Sequence, residues 1–309
     1  MKAKFITMAM VAIVGLSACK KDPPVNLDEN VQEDAPNEGP IPGKIDVIGD
    51  WETGDFSQWN GGLSAKDPAA QIKIVTDPVR ASKYATRFIV RPGDKVKKPN
   101  GEVTSGERAE VGLWNYKREQ LNDEYYYGWS TLFPTDWTAP ARWGIFMQWH
   151  AHTSISPPLA LNARDNQVVL DFYTGNIANF PAKVEYNEKP VILTKINKGK
   201  WNDFIVRIKF RPDYTGIVEV WHRLEGETLF KKVLSLKDIP TLQWTANAGD
   251  IEDKIYEVPF TKDGKAGYTT GCYVKHGLYR GDDNKTNTIY QDNWCRGTSF
   301  ASVRSRFNF

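Results

Sequence analysis

The sequence predicts an all-β protein, an antiparallel sandwich of jelly-roll type, and three observations lead there. Short runs rich in β-branched and aromatic residues recur along the chain, separated by Gly, Pro, Asn and Asp turns. Helical candidates are few and short, "LSLKDIP" (234–240) being one. Eleven Trp, thirteen Tyr and fourteen Phe supply the area that holds two facing sheets together, at about 25 cal/mol per Å² of apolar surface buried.

The elements follow in chain order. Lys2 and Lys4 precede an apolar run from Phe5 to Gly15, too short to span a bilayer, and the stretch ends in "LSAC". It resembles a bacterial lipoprotein signal. Residues 1–18 are therefore expected to be removed and Cys19 to carry the lipid, anchoring the protein at the outer membrane, on its cell-surface or its periplasmic side. Residues 19–45 are rich in proline and acid ("KKDPPVNLDENVQEDAPNEGPIPG") and read as a flexible tether. No composition break divides the roughly 265 residues that follow, so 46–309 are expected to form one domain. Strands are predicted over "VVLDFYTG" (168–175), "NDFIVRIKF" (202–210), "GIVEVWHRL" (216–224) and "YVKHGLYR" (273–280).

Beyond Cys19 only Cys272 and Cys295 remain, in a compartment where disulfides persist. The stretch between them has a turn-like middle, "GDDNKTN" (281–287). A hairpin centred there sets Cys272 opposite Cys295 and permits a disulfide; the alternative is two free buried thiols.

Charge limits the partner. Of 40 Lys and Arg, Lys2 and Lys4 leave with the signal, which matches the remainder to the 38 Asp and Glu. The global basic bias of a nucleic-acid binder is missing, so any anionic ligand must be held by a local cluster.

Such a cluster can be read from strand parity. Only four histidines occur, yet "FMQWHAH" (146–152) holds two of them. In an extended strand Phe146, Gln148, His150 and His152 point one way, with Met147, Trp149 and Ala151 behind. The same alternation puts Arg108 and Glu110 on one face of "SGERAEVGLW" (105–114). It also puts Tyr273, Lys275, Gly277 and Tyr279 on one face of "GCYVKHGLYRG" (271–281), with Cys272, Val274, His276 and Leu278 opposite. Three strands each offer paired polar groups, enough for a shared surface that receives an anion.

"GERAEV", "FMQWHAH" and "YVKHGLYRG", in that order, resemble the signature strands of jelly-roll polysaccharide lyases. The relatives are heparin lyase I and its kin, glucuronan lyases and, more distantly, alginate lyases with R-T-E-L, Q-I-H and Y-F-K-A-G-x-Y motifs. "VIGDWETGDFSQW" (47–59) and "GKWNDFIVRIKFRPDYTGIVEVW" (199–221) resemble the concanavalin A-like framework of the group, and the resemblance covers 46–309. Ala109 stands where alginate lyases have threonine, and His276 where a small or aromatic residue is usual.

The resemblance implies a lyase that cleaves a uronic-acid-containing glycan by β-elimination. The proton at carbon 5 is removed, the 4-linked sugar leaves, and an unsaturated uronate remains. Arg108 and Gln148 suit the substrate carboxylate and the charge that builds on it. His150, a histidine with a reference pKa of about 6.5, suits the base, and Tyr279 the protonation of the leaving oxygen. A tyrosine takes the proton only if cations such as Lys275 or Arg280 favour its anion, so the two roles stay open between His150 and Tyr279. Lys275, Arg280, Glu110 and His152 complete the expected substrate contacts, with Glu110 orienting Arg108. His276 is expected in the core, hydrogen-bonded, and His222 in a structural place or at the cleft rim. Arg142, Trp143 and Arg164 are candidates for a sugar groove.

No cofactor is required for this catalysis. His150 and His152 lack a third ligand at metal spacing, and a structural calcium is compatible with the resemblance although no EF-hand loop is present. The expected partner is an anionic polysaccharide, taken by a monomer. A glycoside hydrolase would need two carboxyl groups about 5 to 5.5 Å apart, and the E-x-D-x-E strand that supplies them is missing. The other alternative is a non-catalytic glycan-binding lipoprotein. Among glucuronan, alginate, ulvan and heparin or heparan sulfate, the neutral mature chain favours a glycan charged mainly by carboxylates.

Overall fold

The structure is a computed structural model. It describes Ala35, Pro36 and residues 43–309 except 60–61, 99, 115–117, 154–155, 179–190 and 260–265, so the expected signal, Cys19 and most of the tether lie outside the described residues. The first strands are β1 (Ile45–Gly49), β2 (Leu63–Ala65), β3 (Ile72–Val75), β4 (Ala85–Val90), β5 (Glu107–Gly112) and β6 (Glu124–Leu132). Then come β7 (Gly144–Ala151), β8 (Leu159–Arg164), β9 (Gln167–Phe172), β10 (Gly175–Asn176), β11 (Val191–Lys195) and β12 (Trp201–Lys209). Last are β13 (Gly216–Leu224), β14 (Lys231–Ile239), β15 (Gln243–Thr245), β16 (Tyr256–Val258), β17 (Gly267–Thr269), β18 (Cys272–Arg280) and β19 (Asn287–Gly297). The described helices are single turns, α1 (Pro68–Gln71) and α2 (Phe300–Arg304) among them.

Two large antiparallel sheets face each other in a jelly-roll sandwich. One runs β14-β13-β12-β6-β19-β4-β3, with β1 also on β19; the other runs β11-β9-β8-β7-β18-β5-β2. Alternation along each strand sends one set of side chains inward, where Trp129, Trp149, Phe146, Phe204 and Trp294 form the main core. Burial of such rings is the principal stabilising term for a fold with so little helix. A second cluster lies around Tyr126, Ile205, Trp221 and Cys295, beneath Phe300, Val303 and Phe307 of the C-terminal segment.

Three expectations are corrected. Residues 234–239 of "LSLKDIP" belong to the nine-residue strand β14, paired antiparallel with β13, because Leu234 and Leu236 alternate with polar residues against the core. The segment between Cys272 and Cys295 is a crossing between sheets and not a hairpin: β18 pairs with β5 and β7, whereas β19 pairs with β1, β4 and β6. Cys272 packs in the main core and Cys295 in the second cluster, both free and buried, so no disulfide joins them. Burial pushes the Cys295 thiol up to about 12, and Cys272 upward too, as befits inert packing residues. Phe146, finally, does not share the face of Gln148 and His150. The register of β7 shifts between Ile145 and Met147, turning Phe146 into the core against Phe133 and Phe204.

Candidate active site

Cross-strand register carries the polar side chains to one place. Arg108 lies opposite Tyr279, which lies opposite Ile145, itself opposite Asn162. A second row runs Lys275, Gln148, Ala160, Asp171, and Tyr273 faces His150 beyond it. These rows form the floor of a cleft of about 720 Å³ on the seven-stranded sheet, lined by Arg108, His150, Lys275 and Tyr279 among others.

Glu110 organises the floor. Its buried carboxylate receives Lys275 Nζ at 2.5 Å and Arg108 Nη1 at 3.6 Å, while Gln148 Nε2 donates to its other oxygen. One anion thus fixes two cations and an amide, and charge-assisted bonds of this kind are the strong ones. Burial pulls the Lys275 ammonium down from its ordinary value and Glu110 opposes that pull. Arg108 is further held by the Ser105 carbonyl, to which Nη2 donates at 3.1 Å.

Tyr279 is clamped on three sides. Arg108 stacks on its ring at 3.8 Å, Trp143 meets it edge-on at 4.5 Å, and its hydroxyl donates to the Ser105 carbonyl at 3.0 Å. Gly106 makes this approach possible. Its φ of +69° suits glycine, and a Cβ there would sit 2.5 Å from the Arg280 carbonyl and 2.8 Å from the tyrosine ring.

His150 stacks on Tyr273 at 5.3 Å, and its Nδ1 lies 2.6 Å from the Ala151 carbonyl. A carbonyl only accepts, so Nδ1 carries the proton and Nε2 keeps its lone pair. Burial, reinforced by Lys275, lowers the His150 pKa to about 4, which leaves the ring neutral at pH 7. The site therefore combines a neutral imidazole, a proton-bearing phenol and two cations on one buried carboxylate.

A family model, Polysaccharide lyase, matches residues 51–295. The chain belongs to that family. No curated protein matches it. Among solved structures it is similar to the endo-beta-1,4-glucuronan lyase from the fungus Trichoderma reesei, with a TM-score of 0.55 and 17% identity over 75% of this chain and 89% of that one. It is also similar to the marine PL-14 alginate lyase from Aplysia kurodai, with a TM-score of 0.48 and 12% identity over 82% of this chain and 97% of that one. At such identities the likeness is one of fold.

Not every expected residue of this polysaccharide lyase reaches the cleft. Arg280 is fully buried on the opposite face from Tyr279, one residue along the pleat, where it pairs with Glu107 at 2.7 Å and bonds Asn287. His152 sits beside the cleft, packed on Tyr273 at 4.8 Å and 3.5 Å from Asp253. Gln148 lies under the floor, fully buried, and acts through Glu110. His276 is in the core as expected, but among the described residues neither ring nitrogen has a hydrogen-bond partner, and Trp51, Trp59 and Phe88 surround it. His222 bonds Asn202 at 3.1 Å on the other sheet, a structural place. Trp143 and Arg164 line the cleft, and Arg142 is exposed.

Several lining residues had not been singled out, among them Ser105, Asn162, Asp171 and Tyr173. Two of these had a signal. "RDNQ" (164–167) is a two-residue hairpin turn whose Asp165 and Asn166 have φ of +48° and +60°, and the register it sets makes Asn162 and Asp171 diagonal neighbours within hydrogen-bond reach.

Proposed function

We propose that this lyase cleaves a uronic-acid-containing glycan by β-elimination, with His150 and Tyr279 as the proton-transfer pair. The observation that carries the reading is that one cleft is lined by a neutral His150, a proton-donating Tyr279 and two cations that share Glu110. The C5 proton of a uronate is barely acidic while its carboxylate keeps a full charge. Arg108 and Lys275 offset that charge as it grows toward the enolate, which is preorganised electrostatic stabilisation. His150 Nε2 accepts the C5 proton, electrons move to form the C4–C5 double bond, and Tyr279 gives its proton to the departing 4-linked oxygen. The resting hydrogen bonds support this division of roles, since His150 holds its proton on Nδ1 and Tyr279 donates. The names of the two similar structures, a glucuronan lyase and an alginate lyase, agree with an anionic polysaccharide as substrate.

The test is ultraviolet absorbance over time on glucuronan, alginate, ulvan, heparin, heparan sulfate and chondroitin, with the His150→Ala variant alongside. A rise on one glycan that the variant loses reports the unsaturated uronate. New reducing ends without absorbance would instead indicate hydrolysis, and retained binding without product a glycan-binding protein. We also propose that Cys19 carries a lipid anchor, for which Cys19→Ala should release the protein from membranes into the soluble fraction.

A further inference from the structure

The cleft has a second polar centre that the elimination chemistry does not use. Asn162 and Arg164 of β8, the strand next to β7, and Asp171 of β9, the strand beyond it, all line it. Asn162 faces Ile145, which faces Tyr279 and lies five residues along β7 from His150, roughly 15 Å at about 3.3 Å per residue. This centre is therefore far from the proton acceptor and borders the leaving-group side, where the neighbouring sugar lies. Ala160, whose short side chain separates Gln148 from Asp171 in the same row, leaves the floor between the two centres low.

The two centres differ in charge. At the reacting end Arg108 and Lys275 share the single anion Glu110, which leaves a net positive site. At the other end Arg164 is neutralised: its Nη2 donates to Asp171 Oδ2 at 3.0 Å, and Asn162 Nδ2 donates to the same oxygen at 2.6 Å. Asp171 Oδ1 and Asn162 Oδ1 carry no hydrogen bond among the described residues, and Asn162 Oδ1 is buried although it belongs to a lining residue. A buried acceptor without a donor costs free energy unless a ligand supplies one. Sugar hydroxyls are such donors; a carboxylate or sulfate is not. The remaining charges do not alter this, since Lys98 is paired with Glu102 at 3.0 Å and Glu252 adds an acid to the wall.

We infer that Asn162, Arg164 and Asp171 form a subsite for an uncharged sugar adjacent to the reacting uronate, so that the substrate alternates 4-linked uronate with neutral residues instead of being a contiguous polyuronate. This rests on the elimination reading for the reacting site, and deepens it. Asp171 is the specificity-determining residue: a uronate placed there meets a carboxylate and two bare acceptor oxygens.

The experiment compares unsulfated alternating glycans (heparosan, unsulfated chondroitin) with contiguous ones (glucuronan, alginate), using wild type and Asp171→Asn, with thermal unfolding to confirm that the variant is folded. Wild type should favour the alternating class in kcat/KM. Asp171→Asn, which keeps the shape and frees Arg164, should lower that preference at least tenfold. A wild-type preference for the contiguous class, or equal losses on both classes in the variant, overturns the subsite. Absorbance on no glycan at all would defeat the elimination reading instead. The subsite is then decided by calorimetric binding of oligosaccharides of both classes to His150→Ala, with and without Asp171→Asn: selective weakening for the alternating class sustains it, and no selectivity or no binding overturns it.

Discussion

Two buried carboxylates, one on each sheet, gather cations in the same way and to different ends. Asp203 on β12 takes both Nε and Nη2 of Arg80, both Nε and Nη2 of Arg223, and the hydroxyl of Ser130 at 2.7 Å. Nothing in that cluster reaches the cleft. Glu110 on β5 also holds two cations, but Arg108 and Lys275 line the cleft, and Arg108 Nε and Gln148 Oε1 are buried without partners among the described residues. The closed cluster has satisfied its hydrogen-bonding capacity within the fold; the open one keeps capacity in reserve. A buried polar network fully satisfied rigidifies, whereas one left incomplete is costly unless something else completes it. That difference supports the proposal that the Glu110 side is the working surface.

The comparison breaks most visibly at the proton-transfer pair. Tyr279→Phe and His150→Ala should each lower kcat/KM by about 10²–10⁴-fold, the usual range for losing a general acid or base, with the unfolding midpoint nearly unchanged. Full activity in Tyr279→Phe would remove the proposed site. Next comes Asp203→Asn, which strands Arg80 and Arg223. Breaking a buried pair in this way costs about 3–5 kcal/mol, so denaturant unfolding should shift strongly while kcat per folded molecule stays the same. Glu110→Gln should do the converse: a smaller loss of stability, because Arg108 can turn to the cleft, with kcat falling about 10–100-fold as Lys275 and Arg108 lose their anchor. If Glu110→Gln proves the more destabilising and the less inactivating of the two, the contrast between closed and open clusters is wrong.

A smaller effect concerns pH. His150 serves as base only when neutral, and burial places its pKa at about 4. The acid limb of kcat/KM, which reports the free enzyme, should therefore fall near pH 4 and stay level through the ordinary histidine range around 6.5. A limb centred near 6.5 would mean that the base is not this buried imidazole.

Much of the open cluster was legible in the sequence, because period-two alternation is a rigid rule wherever a strand is regular. Arg108 with Glu110, and Lys275 with Tyr279, fall on the cleft face as parity requires. Errors entered where regularity ends. Phe146 was misplaced because a register shift inserts a residue that parity does not foresee, and bulges leave no clear mark in one sequence. The disulfide failed because "GDDNKTN" has a turn's composition whether it closes a hairpin or carries the chain from one sheet to the other. Arg280 obeys the alternation that places Tyr279: one residue along, it points to the opposite face and pairs with Glu107, so the expectation of a substrate contact there went against parity. Of the proposed neutral subsite only Arg164 was visible as a groove candidate; Asn162 and Asp171 come from a hairpin with no signature strand, although the Asp-Asn turn pointed to their shared face.

His276 supplies a third case, a buried polar group that is neither closed nor open. It has no exposed surface and, among the described residues, no hydrogen bond, and burial alone lowers its pKa to about 3. Because the folded state holds it neutral, the unfolded chain binds an extra proton between about pH 6.5 and 3. The stability it permits is thus fully present above about 6.5 and is lost as pH falls toward 3, by up to about 1.4 kcal/mol per pH unit. Asp292, whose burial raises its pKa to about 7, acts in the opposite sense, so the whole-protein profile mixes the two. His276→Phe isolates the histidine. The aromatic replacement suits the ring of Trp51, Trp59 and Phe88 and removes two unsatisfied nitrogens, so the variant should match or exceed wild type at pH 7.5 and gain on it steadily below pH 6.5. Unfolding midpoints measured every half unit from pH 7.5 to 4.5 give the slope. Parallel slopes would mean that His276 finds a proton-stabilising partner in solution, and that it belongs with the satisfied groups after all.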